Sequence, residues 1–224
     1  MSEVVEEPEN HQELLDRLLQ ISVRENHEAL VPLREISPDI VIDISHLGET
    51  DIHREPMLRG TAALMLADAH KSLPEGYKFK IWEAFRPIEK QEFMRKKYLE
   101  DLKKANPEKP INELEKERDK YVARIDIIPP HLTGGAVDLT IVGPDNQELD
   151  MGTNYLDFMQ ETHTFSQEIS LLARNNRSML IHAMENAGFV NYSFEWWHFS
   201  YGDRYWAYKT KHDSSIYDYL KEKS

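Results

Sequence analysis

His131-Leu132-Thr133-Gly134-Gly135-Ala136-Val137-Asp138 and, far downstream, Glu195-Trp196-Trp197-His198 are the two stretches around which the chain is organised. Together they supply two imidazoles and two carboxylates among Gly, Trp and β-branched residues rather than among solvated charges. That inventory suits a mononuclear zinc hydrolase. Catalytic zinc takes three protein N or O ligands and keeps a fourth position open, with a separate carboxylate to move the proton of the attacking water.

Position supports the grouping. Gly134 and Gly135 permit a tight backbone turn, so His131 before the turn and Asp138 on the strand after it can converge on one point. In the second stretch Trp197, Phe199 and Tyr201 alternate with Trp196, His198 and Ser200, the period of a strand. A regular strand would send Glu195 and His198 to opposite faces. The sequence therefore predicts a bend at Glu195 if both serve one site.

His-x6-Asp followed by Glu-x-Trp-His resembles the zinc D-Ala-D-Ala dipeptidases associated with vancomycin resistance. These belong to the D,D-peptidases of peptidase family M15, which share a fold with the hedgehog signalling domain. The resemblance extends to Glu-Ala-Phe-Arg-Pro at 83 to 87 and Leu-Asp-Met-Gly-Thr-Asn-Tyr-Leu-Asp at 149 to 157, and so spans about residues 80 to 206. It implies that His131, Asp138 and His198 ligate one zinc ion and that Glu195 is the general base. It further implies that Arg86 stabilises the oxyanion and that Asp157 receives the substrate's free ammonium. One position departs: the family often has Ser two residues before the first ligand His, where this chain has Pro129. A hydroxyl that could touch substrate is thereby missing.

Without the resemblance, Arg86 reads as a surface ion pair and Asp157 as a turn cap, the common fates of those residue types. There is no His-Glu-x-x-His helix and no Gly-x-Ser-x-Gly elbow to indicate the commoner hydrolase classes. The order of four separate motifs carries the assignment.

At 224 residues and 40% hydrophobic, the chain is expected to form a single domain with a substantial core. Its 27 basic against 40 acidic residues give a formal charge of -13, which repels phosphate backbones and argues against nucleic acid as a partner. No stretch approaches the ~18 apolar residues of a membrane span. The acidic, polar residues 1–10 lack the pattern of a secretory signal and are expected to be disordered, which makes the cytoplasm the expected location. The absence of cysteine excludes disulfides, thiolate metal sites and a Cys nucleophile.

Along the chain, residues 11 to 23 read as a short amphipathic helix and Ile40 to Ile44 as a buried strand. The loop from Ser45 to Pro56 carries His46 and His53, read as loop residues. Leu58 to Leu73 has helical spacing, and Tyr77 to Trp82 alternates as a strand with one wet face. That strand delivers Arg86 to a strand-to-helix junction at Pro87. Residues 90–124 read as a charged excursion of two helices with Phe93, Met94, Tyr98 and Leu102 turned inward, and such excursions sometimes act as lids. Ala136 to Val142 is expected to be a buried strand. Ser166 is expected to cap a long helix ending at Gly188, with His163 and His182 structural. The tail beyond Lys209 has the composition for one short helix.

The sequence thus specifies an α+β fold with a central, mainly antiparallel sheet flanked by helices. It also specifies a zinc-dependent dipeptidase with a small D-Ala-D-Ala substrate, linked through the resemblance to peptidoglycan metabolism. A D,D-carboxypeptidase acting on longer wall peptides would use the same motifs. A non-catalytic zinc-binding module would have no need of the spare carboxylate at Glu195.

Overall fold

The computed structural model describes residues 11–45, 55–157 and 159–220. The expectations for residues 1–10 and for His46 and His53 lie outside them. In chain order the elements are α1 (His11–Gln20), β1 (Ser22–Val23), β2 (Leu30–Pro32), α2 (Leu33–Ile36), β3 (Val41–Ile42), β4 (Met57–Arg59) and α3 (Gly60–Lys71). Then come β5 (Lys78–Glu83), α4 (Ile88–Ala105), α5 (Ile111–Tyr121), α6 (Pro130–Thr133) and β6 (Ala136–Val142). The chain finishes with α7 (Leu171–Asn186), β7 (Val190–Asn191), β8 (His198–Ser200), α8 (Arg204–Thr210) and β9 (Ser214–Ser215). A five-stranded sheet in the order β3-β5-β6-β8-β7 organises them. Only the β3–β5 pair is parallel; β5–β6, β6–β8 and β7–β8 are antiparallel. The expected α+β class and mainly antiparallel sheet are what the chain forms.

Every residue of β6 is buried, which marks a central strand covered on both faces. Alternation then divides its side chains. Val137, Leu139 and Ile141 join Phe79 and Ile81 of β5 in the main core, with Leu58, Ala62 and Leu66 from around α3 and Leu180 and Met184 of α7. Asp138 and Thr140 project from the opposite face. A buried strand that points a carboxylate away from the helices is the frame on which the site is built.

The loop that carries His131 is held from behind by a residue absent from the sequence reading. Arg59 is fully buried. Its backbone N–H donates to the Gly134 carbonyl at 2.8 Å and its Nε to the Thr133 carbonyl at 2.8 Å. The two Nη atoms bind both oxygens of Glu25, at 2.8 and 2.9 Å, and the guanidinium lies 4.9 Å over the Tyr217 ring. A buried cation is tolerable only when paired and saturated in this way. Gly134 has φ +74°, a backbone position that favours glycine. At Gly135 there is no room for a side chain, because a Cβ would stand 2.1 Å from the Tyr201 carbonyl oxygen.

Several sequence expectations are corrected. The strand expected over residues 196–201 is only His198–Ser200. Trp196 and Trp197 precede it and anchor in the core. The strand over Ile40–Ile44 shrinks to Val41–Ile42, and residues 57–59 form a strand instead of beginning a helix. The cap of α7 is Ser170, whose Oγ accepts from Ala173 N at 3.0 Å, not Ser166. Among the described residues the last helix lies at Arg204–Thr210, capped by Asp203, and none follows it up to Leu220.

The two helices of the 90–124 excursion form as expected, but Phe93 is 63% exposed. Met94, Tyr98 and Leu102 are partly buried as expected, and Gln91 and Arg95 share that side of α4. These two donate to the carbonyls of Ala123 and Val122, so polar anchoring joins apolar contact in fixing the helix. Among the described residues no helix is long and apolar enough to cross a membrane.

Candidate metal centre and active site

His131, Asp138 and His198 come together. One ligand atom from each lies within 4.8 Å of the others, and all three residues are buried. The β6–β8 register places Asp138 directly opposite His198. The Gly-Gly turn swings His131 back toward the same point, as its position before the turn predicts. Oδ1 of Asp138 is 2.9 Å from Nδ1 of His198 and 3.2 Å from Nε2 of His131.

The other nitrogen of His131 fixes its role. Nδ1 is 2.8 Å from the Ala84 carbonyl, which can only accept, so Nδ1 carries the proton and Nε2 keeps its lone pair for a metal. Burial alone would raise the Asp138 carboxyl. The two imidazoles outweigh it and hold the group well below the usual carboxylate range, ionised as a ligand must be. Two imidazoles and one carboxylate converging on a point fit a zinc ion.

Glu195 sits in the turn before β8. Its N–H donates to the Tyr192 carbonyl at 2.9 Å, and its own carbonyl accepts from His198 N at 3.2 Å. This is the predicted bend, and it brings Glu195 and His198 to the same region despite their spacing. The side chain is only partly exposed, and no described residue hydrogen-bonds to its carboxylate. Burial pushes its pKa up, and the nearby Asp138 charge adds to the rise against the opposing imidazoles and Arg86. A carboxylate made more basic beside a metal-ligand set, yet outside it, is suited to moving protons.

Arg86 is at the predicted junction, after β5 and just before α4. Nε donates to Oε1 of Glu83 at 2.8 Å, a second guanidinium nitrogen pairs with Oε2 of Glu83, and Nη1 donates to Gln91 at 2.6 Å. It is an ion pair, but a buried bidentate one, with the guanidinium near enough to Asp138 to feel its charge. Burial works to raise the Glu83 carboxyl, and Arg86 overrides it, holding it at about 2. Glu83 and Gln91 thus orient Arg86, and Gln91 ties α4 to the site. Their signal in the sequence was the offset of Glu83 from Arg86, three residues, and of Gln91, five.

Asp157 is not part of the metal-ligand set. Its Oδ2 accepts from Asn154 N and Nδ2 at 2.9 and 3.0 Å, the turn-capping role that its residue type suggests. It does line a cavity of about 560 Å³, together with Trp82, Thr140, Asp150, Trp196 and Tyr155, the last of which reaches Asp138. Pro129 caps α6 and directs the chain into His131. His163 packs edge-on against Phe194, as a structural residue would, whereas His182, expected near the apolar stripe, is exposed and bonds only within its own helix, to the Ser178 carbonyl.

The arrangement defines a class: a buried, mononuclear metal site of His-Asp-His donors with an adjacent spare carboxylate and a braced arginine. The chain belongs to the D-Ala-D-Ala dipeptidase family of metallopeptidases, peptidase family M15, whose model matches residues 26–218. It is 27% identical over 178 residues to the D-alanyl-D-alanine dipeptidase of Escherichia coli (strain K12), covering 76% of this chain and 83% of that one. The corresponding enzyme of Synechocystis sp. is 29% identical over 170 residues, with 66% and 67% covered. That of Enterococcus faecium is 35% identical over 130 residues, with 56% and 62% covered. Among solved structures, a vancomycin-resistance D,D-pentapeptidase in complex with Zn(II) aligns at 15% identity over 89% of this chain and 96% of its own, with a TM-score of 0.44.

Proposed function

We propose that this chain is a zinc-dependent D,D-dipeptidase that hydrolyses free D-alanyl-D-alanine. The observation that carries the reading is the division of the acidic groups: Asp138 belongs to the converging donor set, whereas Glu195 stands beside it with its carboxylate unspent. A purely structural zinc site closes its fourth position with another side chain and has no use for such a group.

In this reading His131, Asp138 and His198 hold the ion. When bound, zinc supplies Lewis acidity that polarises the scissile carbonyl and eases deprotonation of water. Glu195 takes a proton from the attacking water and returns one to the nitrogen of the departing D-alanine. Arg86 donates to the carbonyl oxygen as negative charge develops there, its plane fixed beforehand by Glu83 and Gln91 so that little reorganisation is needed. Asp157 receives the dipeptide's ammonium, using the carboxylate face not occupied by the turn. Trp196 and Trp197, both buried, limit water around the donors.

Amine release from D-Ala-D-Ala, L-Ala-L-Ala and N-acetyl-D-Ala-D-Ala tests the substrate assignment. The expected result is cleavage of the free D,D-dipeptide, with the acetylated compound slower by about 10²-fold or more because its amide cannot satisfy Asp157. Equal cleavage of the acetylated compound would reassign the chain as a D,D-carboxypeptidase.

A further inference from the structure

The second oxygen of Asp138 is also engaged. Tyr155 Oη lies 3.0 Å from Oδ2, while Oδ1 alone faces His131 and His198. The Tyr155 ring has little freedom. It stacks on Trp82 with centroids 4.4 Å apart and planes 9° from parallel, and it meets Trp197 edge-on at 5.3 Å.

The segment that delivers Tyr155 is pinned on both sides. Arg177, 1% exposed, donates to the Met151 carbonyl at 2.8 Å. Trp196 Nε1 donates to Thr153 Oγ1 at 2.9 Å. Beyond the tyrosine, Leu156 adopts φ +64°, a conformation that costs a leucine about 1 kcal/mol or more and that the surrounding contacts must impose. This local geometry holds one phenolic hydroxyl against one carboxylate oxygen.

We propose that Tyr155 is a positioning residue for the metal centre: its hydroxyl holds Oδ2 of Asp138 so that the carboxylate offers only Oδ1 to the ion. The inference rests on the metal-centre reading above. Outer partners of ligating groups commonly fix their orientation and coordination mode. Single-oxygen ligation by Asp138 keeps the ligand count at three and the remaining position open to water and substrate. Tyr155 also lines the 560 Å³ cavity, so one residue touches both the cavity and the ligand Asp138.

The test is zinc affinity of the full chain, by competition with a chromogenic chelator, together with the visible spectrum of the cobalt-substituted protein. Tyr155→Phe keeps the ring stack and removes only the hydroxyl. The expected result is zinc binding weakened by about 10-fold or more, as for loss of other outer-shell partners. The cobalt bands should also weaken, as a second Asp138 oxygen enters and coordination rises above four. Tyr155→Leu, which also removes the ring, should weaken zinc at least as much. Tyr155→Phe with parental affinity and spectrum overturns the proposal, and a defect confined to Tyr155→Leu assigns the residue to packing alone. Failure of the parent protein to bind zinc would instead remove the metal-centre reading itself.

Discussion

Replacing Glu195 with Gln or Ala lowers kcat on D-Ala-D-Ala by about 10²-fold to 10⁴-fold, the usual worth of a general base, and leaves bound zinc in place. The two halves of that result have separate causes. Zinc is retained because Glu195 lies outside the converging donor set of His131, Asp138 and His198. Turnover falls because the two neighbouring carboxylates are already engaged: Asp138 is committed to the imidazoles and Tyr155, and Glu83 to Arg86. Gln is the sharper probe, since it keeps the shape and removes only the basicity. Metal content by atomic absorption and kcat by amine release check the pair. Unchanged turnover removes Glu195 from the mechanism, and lost zinc makes it a ligand.

Arg86→Ala is expected to reduce kcat by about 10²-fold to 10³-fold, the scale for removing one donor to a developing oxyanion. It should also destabilise the fold, because Glu83, only 7% exposed, loses its principal counter-ion. Stranding one member of a buried pair costs about 3–5 kcal/mol. Lys90, 3.5 Å from Glu83 Oε1, is too distant to replace a bidentate partner. Combining Arg86→Met with Glu83→Gln separates the effects: much of the thermal stability should return while activity stays low.

The same pair sets a pH dependence. The Glu83 carboxyl is held at about 2 in the fold, against about 4.3 in an unfolded chain, so its contribution to stability is complete above the unfolded value. It is lost as pH falls through that window, and the Glu83→Gln protein should lack this component of acid destabilisation. A double variant that stays as unstable as Arg86→Ala would show that Glu83 is not the stranded charge.

The metal donors were legible in the sequence because their chemistry depends on residue type and on motifs that keep their order. The predicted bend at Glu195 follows from strand alternation once Glu195 and His198 are assigned to one site. What stayed hidden were residues whose importance comes from being buried beside something distant. Arg59 reads as an ordinary charge near a helix start, yet it is saturated by Thr133, Glu25 and Asp218 from three separate parts of the chain. Tyr155 sits inside a recognised motif, but nothing local reveals that its hydroxyl reaches Asp138, seventeen residues back.

Phe93 was misplaced for a related reason. Apolar spacing finds Met94, Tyr98 and Leu102 but not the hydrogen bonds of Gln91 and Arg95 to Ala123 and Val122, beside which Phe93 is left facing solvent. Ser166 and Ser170 are equally good caps by residue type, and it is Ser170 whose Oγ accepts from Ala173 N.

The most direct measurement is amine release from D-Ala-D-Ala by chelator-stripped protein titrated with zinc. The account predicts no release from the stripped protein and a linear return of activity that levels off at one zinc per chain, in keeping with the single donor cluster among the described residues. Full activity in the stripped protein, or stoichiometric zinc binding without hydrolysis, would contradict it.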